Sequence, residues 1–301
     1  MDRRSVTDGV LIVDKPAGRT SHQVVAEVSR RLGGEKTGHA GTLDPMATGV
    51  LVVLVGEATK IAQVLTADDK AYEGELELGV ETDTLDAEGR VVRERRAEAA
   101  RVDRAALAAA MAGFLGAGQQ TPPMYSAVRV EGRRLHEIAR AGAEVERAAR
   151  AIEIRRFDLI AFEPPRAAFA VDCSKGTYVR SLVADLGAEL DCGAHLTRLR
   201  RTRSGPFDLA RAIPLAAVDP EAARARLVSL AEAVGHLPRT EVPAAHERSV
   251  LTGKPLKWND LSADAAPAGM VALVAGGALL ALAEIEPDTS RVRYRRVFRA
   301  T

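Results

Sequence analysis

Cysteine is scarce in this 301-residue sequence, which contains only Cys173 and Cys192. The two form no C-x-x-C pair, so the sequence excludes a zinc ribbon and a thioredoxin-like redox motif. Isolated cysteines in a chain without secretory features are expected to stay reduced, although the sequence also allows a single structural disulfide. We expect the fold to depend on a hydrophobic core, for which a 47% hydrophobic content is sufficient.

The sequence also lacks an excess of either charge, with 42 Lys and Arg against 41 Asp and Glu. This balance excludes a histone-like protein and one that binds nucleic acid through a charged tail. It allows a local basic groove, because binding depends on where charges lie rather than on their sum.

No apolar run is long enough to cross a bilayer. The longest, from about Met270 to Ile285, is interrupted by Gly276, Gly277 and Glu284. The first eight residues lead into a strand-like run and contain no signal-peptide core. We therefore expect a soluble cytoplasmic protein without membrane contact.

Strands and helices follow one another without strict βαβ order. Buried strands are predicted at Gly9–Asp14 and Val50–Val55, a strand pair at Ala151–Phe162 and Ala167–Cys173, and one helix over Glu221–Val234. This arrangement indicates an α+β domain with a mixed, largely antiparallel sheet flanked by helices. Short strands with Gly and Pro punctuation follow, so we place a domain boundary at about residue 238, between units 1–238 and 239–301.

One glycine-rich loop presents a single aspartate, Asp44, between Leu43 and Pro45. Proline restricts the backbone of the residue before it, and Gly41 and Gly49 permit tight bends. An isolated Asp-Pro usually marks only a turn. A rigid loop with one carboxylate also suits covalent catalysis, and the surrounding residues favour that interpretation.

Those residues, Gly38-His-Ala-Gly-Thr-Leu-Asp-Pro-Met-Ala-Thr-Gly-Val-Leu51, resemble the catalytic motif of TruB-type tRNA pseudouridine synthases, nearly position for position. Four more segments resemble that family's other motifs, in family order over roughly residues 9–207. They are Val13-Asp-Lys-Pro-Ala-Gly-Arg-Thr-Ser21, Lys70-Ala-Tyr72 with Leu78–Asp86, Gln120-Thr-Pro-Pro-Met-Tyr-Ser-Ala127 and Cys173-Ser-Lys-Gly-Thr-Tyr-Val-Arg-Ser-Leu182. Five ordered motifs are far more specific than any one, and the bacterial tRNA-modifying branch is the most similar.

The resemblance implies a pseudouridine synthase fold and isomerisation of uridine 55 in the T-loop of tRNA, after the base has been flipped out of the RNA. It makes Asp44 the catalytic nucleophile, and leaves open whether the carboxylate attacks C1′ of the sugar or the uracil ring. No cofactor or metal ion is implied. The expected partner is the T-arm stem-loop of tRNA, without a guide RNA or protein partner, and we expect a monomer.

Arg180 and Tyr72 are the other catalytic residues that the resemblance implies. Arg180 falls in the first turn of a helix predicted from about Thr177, where the helix dipole disfavours a cation, so it should have an acidic partner. Tyr72 falls on the apolar face of an alternating strand, Lys70–Gly79, where the pattern alone favours an ordinary core tyrosine. The resemblance implies stacking on the target base or a part in removing a proton during isomerisation. We favour stacking, because a phenol is poorly suited to act as a base at neutral pH.

The resemblance further implies RNA contacts at His39, Tyr178 and Leu199. It also identifies about residues 119–145 as an insertion that closes over the T-arm, with phosphate contacts from Arg129, Arg133, Arg134, His136 and Arg140. Without the resemblance, this segment would be interpreted as a solvated helix face. Lys15 and Thr20 are expected to support the first motif.

Arginines crowd into the segment Arg198–Arg203, a stronger phosphate candidate on composition alone. Strand alternation predicts Arg198 and Arg200 on one side and Arg201 and Arg203 on the other, so that one pair faces RNA. We assign Arg200 to the RNA-contacting group.

Residues 239–301 resemble the PUA-like domain of many bacterial family members, with a basic edge that contains Arg291, Arg293, Arg295, Arg296 and Arg299. A β-rich packing module without RNA contact is the alternative. Three other functions are less well supported: a guide-RNA-dependent synthase, an RNA-binding protein that has lost activity, and a hydrolase, for which no second carboxylate or metal cluster has a recognisable spacing.

Overall fold

The computed structural model describes residues 8–126, 128–130, 132–140, 143 and 145–299. The strands in these residues are β1 (Gly9–Lys15), β2 (Thr37–Ala40), β3 (Thr48–Val55), β4 (Lys70–Leu78), β5 (Val80–Thr82), β6 (Val91–Glu94), β7 (Gly116–Gln120), β8 (Arg129–Val130), β9 (Arg133–Arg134), β10 (Arg150–Glu163), β11 (Arg166–Cys173), β12 (Ala194–Ser204), β13 (Phe207–Asp208), β14 (Ile213–Pro214), β15 (Arg239–Glu241), β16 (Met270–Ala275), β17 (Ala278–Ile285) and β18 (Val292–Val297). The α-helices are α1 (Ser21–Arg31), α2 (Ala62–Thr66), α3 (Arg96–Ala99), α4 (Arg104–Ala112), α5 (Leu135–Arg140), α6 (Val179–Glu189), α7 (Pro220–Arg226), α8 (Leu230–Ala233) and α9 (Ala244–Leu251).

The larger sheet runs in the order β14-β1-β3-β12-β4-β11-β10-β7, with β2 paired to β3 and β13 to β12. The β1–β14 and β3–β12 pairs are parallel, and the other neighbours are antiparallel. The α+β class with a mixed, largely antiparallel sheet is thus confirmed. Where β3 pairs with β12, Thr48 lies opposite Arg200 and Gly49 opposite Arg201. This pairing brings the Asp44 loop, which ends in β3, against β12.

The first strand is apolar from Val10 to Val13 because both of its faces are covered there. Val10 and Ile12 belong to a hydrophobic cluster shared with the C-terminal sheet, whereas Leu11 and Val13 pack with α1. A strand that is buried on both faces shows a continuous hydrophobic run rather than alternation. The helix that covers one face begins at a capping box of Thr20 and Gln23, which confirms the supporting role expected of Thr20.

The C-terminal strands form a separate four-stranded sheet in the order β15-β16-β17-β18. Its residues Val274, Leu282 and Phe298 share the cluster of Val10 and Ile12, so the two sheets enclose one layer of core. The small sheet begins at Arg239. The division into units 1–238 and 239–301 stays a prediction.

The single helix predicted over Glu221–Val234 is wrong, because the chain forms two short helices there. Leu227 leaves the helical conformation (φ −61°, ψ 127°), and Val228 exchanges two backbone hydrogen bonds of 2.8 Å with Val10. Ser229 then caps α8 by accepting from the Glu232 amide. Pairing with β1 satisfies the hydrogen-bonding groups of the Val10 backbone. The free energy gained from this long-range contact outweighs the local helix propensity.

In the part of the chain that the structure describes, no helix is both long and apolar enough to span a membrane.

Candidate active site

Hydrogen bonds on both sides hold the Asp44 loop in place. The Ser21 hydroxyl donates to the Leu43 carbonyl at 3.0 Å and accepts from the Leu43 amide at 2.8 Å. The Lys15 ammonium, wholly buried, donates to the carbonyls of Pro45 at 3.0 Å and Ala47 at 2.6 Å. The loop is therefore rigid through its neighbours as well as through Pro45, as a positioned nucleophile requires.

Arg180 pairs with Asp44 through two parallel hydrogen bonds. Its Nε donates to Oδ2 at 2.9 Å and its Nη2 to Oδ1 at 3.0 Å. Arg180 lies in the first turn of α6 and is buried, whereas Asp44 is about one-third exposed. The acidic partner expected for a cation in that turn is therefore present, in the two-point geometry that favours arginine.

A second carboxylate, Asp86, supports Arg180 from the side away from Asp44. Its Oδ2 lies 3.6 Å from Nη1 of Arg180, and its Oδ1 accepts from the Thr84 hydroxyl at 2.6 Å. Arg180 also donates to the carbonyls of Thr84 and Tyr125, both at 2.9 Å. Asp86 ends one of the matched motifs, but no role was assigned to it from the sequence. Its burial distinguishes it from the more exposed acidic residues nearby.

A cavity of about 250 Å³ lies beside Asp44. Five residues singled out in the sequence line it together: Asp44, Tyr72, Tyr178, Arg180 and Leu199. A more open groove of about 760 Å³ shares Asp44 and Arg180 and is lined by His39. The smaller volume is just below the roughly 300–1,000 Å³ of drug-sized ligand sites, so it suits one planar base.

Tyr72 lines that cavity on the buried face that the alternation predicted, and the residue is only 8% exposed. Burial raises the pKa of the Tyr72 phenol above 10, although the nearby Arg201 guanidinium favours the ionised form. A raised pKa opposes a role as a base in the free protein and favours a role as an apolar platform for a ring.

The chain matches two family models that together cover residues 29–251. Residues 29–179 match the N-terminal domain of the TruB family pseudouridylate synthases, and residues 180–251 match the tRNA pseudouridylate synthase B C-terminal domain.

Curated proteins of similar length carry the same name. The tRNA pseudouridine synthase B of Aromatoleum aromaticum is 45% identical over 287 residues, 94% of this chain and 91% of that protein. The protein of that name from Stutzerimonas stutzeri is 42% identical, over 99% of this chain and 97% of its own. The chain belongs to the TruB family of pseudouridylate synthases.

Solved structures support the same assignment. A crystal structure of a Cbf5–Nop10–Gar1 complex contains a chain that matches with a TM-score of 0.76 and 28% identity, over 98% of this chain and 86% of that one. An H/ACA RNP bound to a substrate RNA containing 2′-deoxyuridine matches with a TM-score of 0.73 and 26% identity, over 97% and 85% of the two chains. The expected pseudouridine synthase fold, with a small PUA-like sheet, is confirmed.

In this TruB-family chain, Arg200 lies apart from the cavity. Its guanidinium makes two hydrogen bonds to Asp14, of 3.1 and 2.8 Å, and it lines a different depression on the sheet. Its RNA contact stays a prediction. The next residue, Arg201, lines the cavity instead and is completely buried.

The predicted alternation of the arginine segment is wrong at Arg203. The pairing of β12 with β4 shifts between Arg201, opposite Tyr72, and Arg203, opposite Ala71. This bulge turns Arg203 to the face of Arg198 and Arg200, where it lies 4.0 Å from Asp172. Of the four arginines in the segment Arg198–Arg203, Arg201 is the one that lies on the cavity face.

His39 is half-buried in β2, at the wall of the open groove. Burial lowers the pKa of its imidazole below 6.5, with a smaller effect from the Arg201 charge. Its Nδ1 is buried without a hydrogen-bond partner among the described residues. A neutral ring with a spare polar atom fits a ligand contact, and the contact with RNA stays a prediction.

Three arginines of the predicted insertion lie in a short hairpin. Arg129 pairs with Arg134, and Arg133 with Val130, before α5 begins. Ala127, Glu131, Ala141, Gly142 and Glu144 lie outside the described residues. Contacts of Arg129, Arg133 and Arg134 with RNA, like those of His136 and Arg140, remain predictions.

No group of three or more His, Cys, Asp or Glu side chains within the described ranges is arranged to hold a metal ion. Cys173 and Cys192 are both buried free thiols.

Gly49 is expected to tolerate no side chain. Its φ is +97°, and an added Cβ would lie 2.2 Å from the Arg201 carbonyl oxygen. We predict that Gly49→Ala lowers the free energy of unfolding by about 3 kcal/mol, from strain and overpacking. Gly38→Ala is the matched control, because its Cβ would meet only Thr59 at 3.5 Å without a positive φ. Urea unfolding of both variants measures the loss of unfolding free energy. Equal small losses in Gly49→Ala and Gly38→Ala would contradict the prediction.

Lys15 is expected to make stability depend on pH. Burial lowers the pKa of its ammonium from 10.5 to about 8, against the opposing influence of Asp44 and Glu88. Between pH 8 and about 10 the unfolded chain therefore holds more protons than the folded one, so stability rises with pH. We predict that Lys15→Met costs about 2 kcal/mol at pH 8, since buried carbonyls lose a donor, and more at pH 10. Urea unfolding at pH 8 and pH 10 measures the difference in unfolding free energy between the wild type and Lys15→Met. A difference that stays constant or falls as the pH rises would contradict the lowered pKa of Lys15.

Proposed function

We propose that the chain converts uridine 55 in the T-loop of tRNA to pseudouridine, with Asp44 as the nucleophile. The observation that carries this proposal is the two-point pair of Asp44 and Arg180 at the mouth of a base-sized cavity that Tyr72 also lines. Relatives that align over almost the whole chain are named tRNA pseudouridine synthase B, which supports tRNA as the substrate.

The target base must leave the T-loop stack before it can enter the cavity. Asp44 lines the cavity together with residues of several different elements, so a base has to project from the RNA to enter beside it. The groove beside it, lined by His39, then accommodates neighbouring nucleotides. Tyr72 packs against the ring, and Leu199 borders the same space.

Asp44 then forms a covalent bond to the nucleoside. Arg180 aims both carboxylate oxygens and compensates their charge, and Asp86 holds Arg180 in turn. Two routes use this geometry, attack at C1′ of the ribose and addition to C6 of the ring. In either route, the ring is released from its N1 bond, rotates, and rejoins the sugar through C5, and no cofactor takes part.

Guide-independent action on tRNA is part of the proposal. The structural neighbours come from assemblies with Nop10 and Gar1 or from an H/ACA RNP, at 26–28% identity. The tRNA pseudouridine synthase B relatives are 42–45% identical over nearly all of the chain. The higher identity to the tRNA pseudouridine synthase B relatives favours action on tRNA over guide-dependent action.

The test is incubation of the purified chain alone with an unmodified tRNA transcript, followed by mapping of pseudouridine. We expect product at position 55 and none in a transcript with cytidine there. Product only after addition of guide RNA or partner proteins would overturn guide independence. Product at another uridine would overturn the assigned position, and no product in any arm would overturn the function.

A further inference from the structure

Two cations are buried beneath the base cavity. Lys70, the first residue of β4, is 6% exposed, and Arg201 in β12 is 0% exposed. Both line the cavity that holds Asp44 and Tyr72. We refer to Lys70 and Arg201 as the buried cation pair.

Neither member of the pair has a carboxylate within ion-pair distance in the described part of the chain. Arg201 donates to the carbonyls of Val50 at 2.7 Å and Gly41 at 3.0 Å. Lys70 donates to the carbonyls of Thr66 at 2.8 Å and of Asp68. In contrast, Arg180 and Arg200 each hold a carboxylate.

Burial without a counter-ion is costly for a cation. It lowers the pKa of Lys70 from 10.5 to about 8, and the Arg201 charge contributes to that lowering, whereas Asp68 opposes it. Such a site is suited to receive negative charge from a ligand, since the protein leaves its positive charge uncompensated.

The isomerisation of uridine produces that negative charge on the ring by either route. If an Asp44 oxygen bonds to C1′, the C1′–N1 bond breaks and its electron pair moves to the uracil, which becomes an anion. If the oxygen bonds to C6, the C5–C6 π pair moves towards O4 and forms an enolate. In the first route the charge is returned when C5 bonds to C1′ and the C1′–Asp44 bond breaks. In the second route C5 bonds to C1′ as the C1′–N1 bond breaks and its electron pair passes to N1, and the C6–Asp44 bond breaks afterwards. Both routes end when C5 loses its proton and N1 takes one up.

We propose that the buried cation pair stabilises the negative charge that develops on the target uracil. This inference rests on the proposed function and assigns to Lys70 and Arg201 the electrostatic role that preorganised donors play at a developing anion. Lys70 is the member that reaches the base, because two of its three N–H donors are used and no acceptor in the described residues takes the third.

Arg201 contributes its charge without touching the base, and through its neighbour Tyr72 it is also a positioning residue. The two are direct neighbours across β12 and β4, and the Arg201 charge favours the ionised phenol. Its contacts to Gly41 and Val50 lie on either side of Asp44 in the chain. One buried guanidinium therefore links the nucleophile loop to the tyrosine beneath the base.

The test compares T-arm stem-loop RNAs that carry uridine or 5-fluorouridine at position 55. Fluorine at C5 withdraws electrons and helps the ring to carry negative charge, so the 5-fluorouridine RNA should depend less on the protein's cations. Lys70→Gln removes the charge and keeps a donor. We expect it to slow single-turnover loss of uridine about a hundredfold, the scale of one oxyanion-hole donor, and loss of 5-fluorouridine by clearly less. Lys70→Arg should recover part of the rate.

Arg166→Gln is the matched control, because Arg166 is 73% exposed at the far end of the same sheet and pairs with Glu77. It should leave both rates unchanged. Equal loss on both RNAs, or no loss, in Lys70→Gln would overturn the inference and leave the proposed function intact. An inactive wild-type chain would overturn both.

Thermal unfolding establishes whether Lys70→Gln is folded at the assay temperature. If it is not, the same comparison is made with Arg201→Gln and Arg201→Lys. The neutral variant should then show the larger loss on the uridine RNA, and equal behaviour of the two variants would overturn the inference.

Discussion

Asp44→Asn is expected to abolish pseudouridine formation while RNA binding survives. The amide keeps the size of the side chain and can still accept a hydrogen bond from Arg180, but it is not a nucleophile. We predict a fall in kcat of about 10⁴-fold or more, as for loss of a covalent nucleophile. The Kd for the T-arm stem-loop should stay within about threefold. Rates come from single-turnover assays and Kd from filter binding.

Retained turnover in Asp44→Asn would remove Asp44 from the chemistry. Asp83→Asn provides a control for the substitution itself, because Asp83 lies in a turn and pairs with Arg90, an exposed residue. That variant should keep wild-type turnover, so a loss common to both variants would point to a general effect on the fold.

Arg180→Ala is expected to reduce kcat by about 10³-fold, roughly 4 kcal/mol, with a small change in affinity. The variant removes the two-point contact that aims Asp44 and leaves Asp86 buried without its cation. Arg180→Lys should recover little, since an ammonium cannot reproduce the planar contacts to Asp44, Thr84 and Tyr125. Steady-state kinetics and filter binding separate the two effects.

A large fall in affinity with unchanged kcat would instead make Arg180 an RNA phosphate contact. Because Arg180 is buried, a thermal melt must accompany the kinetics. If Arg180→Ala does not fold, Asp86→Asn is tested in its place, because it keeps Arg180 and its pair with Asp44. We expect that variant to remain folded and to lose turnover by a smaller factor than Arg180→Ala.

Much of the site could be predicted because the patterns that indicate it are local in the sequence. An arginine in the first turn of a helix indicated an acidic partner, and the structure supplies Asp44. Alternation along Lys70–Gly79 placed Tyr72 on the buried face, and it lies there. The apolar runs of β1 and β3 correctly indicated strands covered on both sides.

Other features depend on long-range contacts that no local pattern reports. The bulge in β12 reversed the face of Arg203, and the bridge from Val228 to Val10 divided a predicted helix. From the sequence, Lys70 was named only within a matched motif and Arg201 only among the arginines that could face RNA, and cations are normally exposed. Only the tertiary fold shows that both are buried without a carboxylate partner among the described residues.

Release of the C5 hydrogen tests the central claim most directly. After C5 has bonded to C1′, the uracil ring becomes aromatic again only when the hydrogen on C5 leaves. A T-arm stem-loop with tritium at C5 of uridine 55 alone should release one equivalent of tritium to water with the wild-type chain and no guide RNA. With Asp44→Asn it should release none. Tritium retained by the wild type, or released equally by Asp44→Asn, would contradict isomerisation by Asp44.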